Sequence, residues 1–306
     1  MISFLKKLHL YSPAERIINC DYFLDAETRS FYEQNGYAVI PDKVPEQAIG
    51  IINETFQMLY NQPGFFETEG FITSPNYTKE IQQLVHLKLS EATDLIVPAI
   101  FDVTKISYNI LNILVLKFKQ HNDTILFPHQ DVSMADEYIA PTTFMWIPTC
   151  DIDEKNGSLL VLPKSHKWCA WQRTHNQQES PLKNNRDLVL EKMIPLYLKK
   201  GDLVLFDSAL VHASSANISN QVRVAMNSGV IPENNRLIHY KKSTKTPKGK
   251  IEKYTIDKDF WKEGFYTNPD FIPEKYRHSL ILEEEVCNFQ INRLNLKYLL
   301  QKYASN

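Results

Sequence analysis

Hydrophobic and polar positions repeat with two different periods along the chain. In the first third, apolar residues recur every three or four positions, as on one side of an α-helix. This spacing predicts helices over Ser30–Gly36, Pro45–Gln62, Tyr77–Leu89 and Glu91–Thr104, with a short strand at Tyr37–Ile40. Because Pro98 lies inside the last predicted helix, we expect a kink or a split there.

From Ser107 onward the pattern becomes one of short extended segments separated by turns. The predicted strands are Ile113–Lys119, Thr142–Pro148, Ser158–Pro163, Ile194–Leu198, Leu203–Phe206, a run that reaches His212, and Val222–Ile231. Helices first and many short strands afterwards favour a β-sandwich or barrel with a helical layer outside it.

The same pattern predicts a single domain over residues 1–306. A mostly helical support layer is expected over about 1–105 and a strand-rich core over about 106–232, interrupted by a polar insert over 164–192. The remainder, about 233–306, is predicted to begin as a basic loop and to be helical from about Pro273 to the end.

Composition and charge narrow the classes of function. Because 43% of the 306 residues are hydrophobic, the chain can form a substantial core. A formal net charge of −2 argues against a polyanion-binding protein, so we expect no nucleic-acid partner. No apolar run approaches the roughly 18 residues of a membrane helix, and the first residues do not resemble a signal peptide.

The cysteine pattern bears on the compartment. The chain has scattered cysteines and no C-x-x-C motif; they are Cys20, Cys150, Cys169 and Cys287. Scattered cysteines are typical of reduced packing residues in a cytosolic protein, so we expect a cytoplasmic location. The lack of a long apolar run adds the expectation of no membrane partner.

The candidate chemistry centres on an H-x-D sequence formed by His129 and Asp131. On a strand, side chains two positions apart point to the same side, so these two would offer an imidazole and a carboxylate to one metal ion. A second imidazole can come from His212. Two histidines and one carboxylate suit Fe(II) in oxygen-activating enzymes. The plainer alternatives are that Asp131 caps a turn and that His212 is a hydrogen-bonded core histidine.

Arg223 stands eleven positions after His212, inside the apolar run Val222–Met226. A guanidinium that points inward needs an anion, and its planar fork makes two parallel hydrogen bonds to a carboxylate. A surface ion pair is the plainer alternative. An iron site with a carboxylate-binding arginine nearby is what a keto-diacid cosubstrate requires.

Together these residues and several further motifs resemble the phytanoyl-CoA dioxygenase family of Fe(II)- and 2-oxoglutarate-dependent oxygenases. The resemblance runs from about Ser30 to Pro232. Its motifs are Phe31–Pro41, His129-Gln130-Asp131, Trp146, Asp151, Asn156–Leu159, Leu162–Lys167, Gly201-Asp202, His212, Asn217 and Arg223. The family usually has Gly where Lys164 stands, and we expect this change to be tolerated in a turn.

The resemblance implies a fold that is mainly β with flanking helices. Its core would be a double-stranded β-helix of the jelly-roll, cupin-like type with an N-terminal helical layer. It also implies that His129, Asp131 and His212 hold Fe(II), with 2-oxoglutarate and O₂ as cosubstrates. The far carboxylate of 2-oxoglutarate would meet Arg223, helped by the hydroxyl of Ser214.

Three further residues are weaker candidates for the cosubstrate wall. Trp146 stands where the family has a tryptophan near the cosubstrate, and Lys117 and Gln120 lie on or near the strand before the H-x-D sequence. For each of them, packing or solvation is the plainer role. The implied reaction is hydroxylation, or another two-electron oxidation, of an unactivated C–H bond of a small molecule, with release of succinate and CO₂. Asp131 favours hydroxylation because halogenating relatives lack the carboxylate.

Two polar segments are predicted to lie over the site. Residues 168–186 contain Trp168, Trp171, Arg173, His175, Lys183 and Arg186, and residues 236–253 carry seven Lys or Arg and one acid, Glu252. They can be lids that recognise an anionic or carrier-linked substrate, or simply two solvated loops. Two other functions stay open: a non-catalytic protein that binds or senses a small acid, and a cupin-like metal enzyme that does not use 2-oxoglutarate.

Overall fold

The structure is a computed structural model that describes residues 16, 18–62, 71–73, 77–118, 124–137, 139–168, 173–174, 182–243, 250–262, 272–285 and 293–304. The helices are α1 (Ala26–Asn35), α2 (Glu46–Tyr60), α3 (Lys79–Ile96), α4 (Arg186–Leu190) and α5 (Arg293–Ala304). Across these described ranges, none of the helices combines the length and the apolar character that a membrane crossing needs.

The strands fall into three antiparallel groups. They are β1 (Tyr37–Ile40), β2 (Phe71–Thr73), β3 (Ile106–Ser107), β4 (Asn112–Lys117), β5 (Leu126–His129), β6 (Thr143–Pro148), β7 (Leu159–Val161), β8 (Ile194–Leu196), β9 (Leu203–Asp207), β10 (His212–Ser214), β11 (Arg223–Pro232), β12 (Ile238–Lys242), β13 (Lys250–Thr255) and β14 (Leu280–Glu285). The major sheet has the order β1-β9-β6-β11-β4-β2, with β3 also paired to β11. The minor sheet has the order β5-β10-β7-β8, and the C-terminal sheet β12-β13-β14.

The major and minor sheets pack face to face and do not close into a barrel. The predicted class, mainly β with flanking helices, is therefore confirmed, and of the two predicted architectures the open sandwich is the one observed. Long-range strand order such as β9-β6-β11 places segments far apart in sequence side by side.

Alternation along β11 shows how the major sheet separates two cores. Val224 and Met226 belong to the core shared with the N-terminal helices. Ala225 belongs to the core between the two sheets. Because side chains alternate along a strand, Arg223 points to the same side as Ala225, into the space between the sheets.

The helical layer differs from the prediction at its boundaries. Helix α1 begins at Ala26, because the Asp25 carboxylate accepts the Thr28 N–H at 2.6 Å, and ends before Gly36 with φ 81°. The two helices predicted over 77–104 are one helix, α3. Pro98 lies beyond it, in the short 3-10 helix Val97–Ala99, where its missing N–H costs no helical hydrogen bond.

The prediction of a basic loop followed by helices at the C-terminus is wrong for much of the described part. Strands β12 and β13 pair antiparallel, and β14 adds to β13. Their alternation is hard to see because Glu252 is buried on β13, where its carboxylate accepts hydrogen bonds from Ser243 at 2.8 Å and Tyr254 at 2.6 Å. A buried charge at an inward position hides the apolar–polar pattern on which strand prediction depends.

Candidate metal centre

Three side chains from two distant parts of the chain, residues 129–131 and residue 212, converge between the sheets. His129 is the last residue of β5 and His212 the first of β10, and the two are opposite each other in the antiparallel pair. Asp131 Oδ1 lies 3.9 Å from His129 Nε2 and 3.8 Å from His212 Nε2. Their ligand atoms all lie within 4.8 Å of one another, in the one cluster of this kind that the described residues contain.

The geometry differs in two respects from the strand alternation expected in the sequence. Strand β5 stops at His129, so Asp131 lies in the irregular segment that follows and not on the same strand. His212 begins β10 rather than ending an earlier strand. The convergence of the three side chains therefore depends on the turn of the chain after β5 and on the pairing of β5 with β10.

Both imidazoles present the same nitrogen to the carboxylate. His129 Nδ1 lies 2.8 Å from the Phe127 carbonyl and His212 Nδ1 lies 3.0 Å from the Leu210 carbonyl. A carbonyl only accepts hydrogen bonds, so each Nδ1 carries the proton and each Nε2 keeps its lone pair. Burial lowers the pKa of both rings to about 4, with the neighbouring His212 adding to the effect on His129. The donor set is thus two neutral imidazoles and one carboxylate, which fits a divalent transition metal such as Fe(II).

Two buried basic side chains adjoin each other on the major sheet. Arg223 is 2% exposed and Lys117 is 0% exposed, and they are register partners on β11 and β4. Arg223 Nε and Nη1 have no hydrogen-bond partner, and its guanidinium carbon lies 5.3 Å from the centre of the Trp146 ring. The Lys117 ammonium donates to the Ser215 carbonyl. Burial and then the Arg223 charge lower the pKa of Lys117 to about 6, and burial lowers the pKa of Arg223 to about 10.

The other predicted wall residues have different positions. Ser214 is buried on β10, two residues after His212 and on the same side of the strand. It is the next residue, Ser215, whose carbonyl contacts Lys117. Gln120 lies outside the described residues.

The two segments predicted as lids include parts with structural roles. Trp168 is 1% exposed, and its ring stacks on Tyr303 at 6.3 Å between centroids. Trp171 and His175 lie outside the described residues. In the basic segment, Lys241 Nζ lies 3.9 Å from the buried Glu252 carboxylate, and Lys253 Nζ lies 3.3 Å from Asp136 Oδ2.

A buried ionic network beside the metal centre was not predicted. The guanidinium of Arg16 pairs with Asp207 at 2.8 Å, and that of Arg173 pairs with Glu137 at 2.5 Å. Asp207 directly follows the apolar run of β9, and this is the one sequence signal that points to a buried acid. The pairing partners of Arg16 and Arg173 follow only from the tertiary structure.

The sequence that carries these side chains matches a known protein family. The sequence model described as phytanoyl-CoA dioxygenase (PhyH) matches residues 32–225 of the chain. The chain belongs to the phytanoyl-CoA dioxygenase family. The predicted resemblance to this family of Fe(II)- and 2-oxoglutarate-dependent oxygenases is confirmed, and the match includes all three converging side chains.

Individual members of the phytanoyl-CoA dioxygenase family match shorter stretches. The chain is 32% identical over 111 residues to phytanoyl-CoA dioxygenase 1 of Oryza sativa subsp. japonica, which covers 34% of this chain and 38% of that protein. It is 30% identical over 103 residues to dioxygenase ALT11 of Alternaria alternata, covering 34% of this chain and 29% of that protein. The matched stretches thus span well under half the length of either relative.

A solved structure shares the fold. HygX from Streptomyces hygroscopicus, crystallised with nickel and 2-oxoglutarate bound, superposes with a TM-score of 0.50 at 18% identity. The superposition covers 69% of this chain and 88% of HygX. It confirms the predicted jelly-roll core, here as two separate antiparallel sheets.

Proposed function

We propose that this chain is an Fe(II)- and 2-oxoglutarate-dependent dioxygenase that hydroxylates, or otherwise oxidises, a C–H bond of a small molecule. Succinate and CO₂ are the other products. One observation carries the proposal: two neutral imidazoles and a carboxylate face each other between the sheets, in the same interior as an unpaired Arg223 guanidinium. The three metal ligands alone would fit many metalloenzymes. The unpaired guanidinium of Arg223 narrows the choice, because it can bind the second carboxylate of a diacid cosubstrate.

Each residue has a distinct task in this proposal. His129, Asp131 and His212 hold the metal and leave three positions open for other ligands. Arg223 binds the far carboxylate of 2-oxoglutarate through its unpaired Nε and Nη1, and Trp146 supports the guanidinium from its ring face. When bound, iron and 2-oxoglutarate together supply the oxidising chemistry with O₂.

Lys117 contributes a second basic group to the same proposed anion site. Its amine is buried next to Arg223, and a carboxylate between the two groups would pair with the guanidinium and favour the protonated form of the lysine. Ser214 is a further candidate for this end of the site, because it is buried and shares a strand face with His212.

The outcome of the reaction follows from the ligand set. Asp131 occupies the ligand position that halogenating relatives leave to a halide, so hydroxylation is the proposed reaction. A small-molecule substrate is part of the proposal. An anionic or carrier-linked group on the substrate stays a prediction. Two lysines of the basic segment that would recognise it, Lys241 and Lys253, lie beside the protein carboxylates of Glu252 and Asp136.

The proposal is tested by adding Fe(II) and 2-oxoglutarate under anaerobic conditions and recording the visible charge-transfer band. We expect a band for the native chain and a weaker, shifted band for Asp131→Ala, which lacks the carboxylate ligand. Asp136→Asn is the matched control, because that carboxylate belongs to the same segment but lies 3.3 Å from Lys253 Nζ. It should keep the band.

The same experiment separates the competing functions. Succinate formed on admitting O₂ with a screened substrate supports the dioxygenase. A band without succinate across many substrates favours a protein that binds or senses a small acid. Absence of any band in the native chain contradicts the proposal and favours a cupin-like metal enzyme that does not use 2-oxoglutarate.

A further inference from the structure

A buried ion pair lies beside the proposed metal centre and is not part of it. Arg173 Nη2 is 2.5 Å from Glu137 Oε1, and both side chains are 6% exposed. Arg173 comes from the polar insert 164–192, whereas Glu137 belongs to the segment that follows Asp131. The sequence pattern offers Arg173 as a binding group for an anionic substrate, but its guanidinium pairs with the carboxylate of Glu137.

Arg173 also holds the Asp131 segment through the backbone. Its Nε donates to the Asp131 carbonyl at 2.6 Å. The Arg173 N–H donates to Ser133 Oγ at 3.2 Å, and the Ser133 N–H donates to the Arg173 carbonyl at 3.2 Å. The backbone carbonyl carbon of Asp131 is bonded to the Cα from which the side chain extends. A hydrogen bond that fixes this carbonyl therefore limits the positions that the carboxylate can reach.

Glu137 extends the contact to the segment that leads to His212. The Ser208 hydroxyl donates to Glu137 Oε1 at 2.6 Å, and Arg173 Nη2 lies 3.4 Å from Ser208 Oγ. Ser208 belongs to the connection between β9 and β10, four positions before His212. One ion pair therefore touches the segments of both Asp131 and His212.

A second buried pair balances the charge of this network. Arg16 pairs with Asp207 at 2.8 Å, and its Nε donates to the Glu137 carbonyl at 2.8 Å. Two guanidinium groups thus meet two carboxylates. The network therefore has no excess positive charge that would attract an anionic substrate. Its effect on the metal centre comes from the positions that its hydrogen bonds fix.

We propose that Arg173 is a positioning residue of the metal centre. It fixes the carbonyl of Asp131 and, through Glu137 and Ser208, keeps that segment in register with the segment of His212. This inference rests on the proposed function, since it assumes that Asp131 and His212 bind a metal. It makes metal affinity depend on the insert 164–192, which supplies Arg173 and carries none of the proposed ligands.

Co(II) binding followed by visible absorption tests this role without turnover. Arg173→Lys keeps the charge but loses the planar fork that reaches the Asp131 carbonyl and Glu137 together. Loss of a group that orients a metal ligand typically weakens metal binding about 10–100-fold, so we expect a loss of that size and altered Co(II) bands. Arg293→Lys is the control, because it makes the same change in an exposed pair with Asp187. It should bind Co(II) like the native chain.

A double variant separates positioning from folding stability. Arg173→Met combined with Glu137→Leu removes both charges of the pair, and such apolar replacements of buried ion pairs are often neutral for stability. We expect a melting temperature near the native value together with weakened Co(II) binding, because the Asp131 carbonyl lacks its donor. Native Co(II) affinity and bands in whichever variants fold overturn this inference alone. A native chain that binds no Co(II) overturns the proposed function, and this inference with it.

Discussion

Lys117 and Arg223 are two basic side chains buried side by side, and this has a measurable consequence for ligand binding. Burial and the neighbouring guanidinium lower the pKa of Lys117 to about 6. The lysine is therefore largely neutral at pH 7.5 in the ligand-free chain. A bound dianion favours the protonated form and raises this pKa, so binding of 2-oxoglutarate takes up a proton.

The sign of the resulting pH dependence follows directly. Above pH 6 the proton must come from solvent, so we expect the affinity for 2-oxoglutarate to fall as pH rises, by up to about tenfold per pH unit. Titration of the metal-loaded chain with 2-oxoglutarate between pH 6.5 and 8.5 measures it. The proposed ligands His129 and His212 stay neutral there, since their pKa values are about 4. Lys117→Gln should bind more weakly and without this slope, and an equal slope in that variant would contradict the explanation.

At the scale of elements, the turn after β7 holds the minor sheet against the end of α1. Lys164 has φ 65°, and its N–H donates to the Asn35 carbonyl at 2.9 Å. The following His166 packs against Gly36, where an added Cβ would lie 2.4 Å from the His166 Nδ1. The left-handed conformation of Lys164 explains why the family usually has Gly at this position.

Lys164→Gly is expected to stabilise the fold. A non-glycine residue in the left-handed region costs roughly 1–2 kcal/mol of stability. The greater conformational entropy of Gly in the unfolded chain cancels part of the stability that the substitution gains. We expect the free energy of unfolding to rise by about 1 kcal/mol in urea denaturation. Lys167→Gly makes the same change three residues later, at a position without positive φ, and should destabilise. A stability loss at both positions would show that the strain at Lys164 is absent.

Elements were predictable where local pattern and tertiary environment agree. Helix α2 has an apolar repeat that matches the side it buries, and β6 is a continuous run whose six residues are all buried; both are predicted from the sequence. Strand β13 was missed because Glu252 is buried at an inward position. The residue types around the metal centre were recognisable from H-x-D and the later histidine. The pairing of Arg173 with Glu137 was not, because a contact 36 positions apart leaves no local period.

For the molecule as a whole, the buried Arg223 between the sheets lowers the stability of the ligand-free fold and favours the binding of a diacid. A buried arginine without an anion destabilises the fold, and Arg223 has two nitrogens without hydrogen-bond partners. An unpaired buried charge costs several kcal/mol, and a buried cation–π contact such as that with Trp146 offsets only about 2 kcal/mol of this cost. The ligand-free fold should therefore tolerate Arg223 at a net loss of stability.

Arg223→Met tests this opposition between stability and binding. We expect the ligand-free variant to be more stable than the native chain by about 1–3 kcal/mol, because an apolar side chain of similar length replaces the unpaired charge. In the presence of metal, 2-oxoglutarate at about 100 times its Kd should stabilise the native chain by about 2.7 kcal/mol and leave the variant unchanged. Denaturation with and without 2-oxoglutarate measures both effects. Arg293→Met, at an exposed ion pair, should alter stability by no more than about 0.5 kcal/mol. A ligand-free Arg223→Met chain that is less stable than the native chain would mean that the guanidinium is satisfied without a diacid, and the case for 2-oxoglutarate at this position would fail.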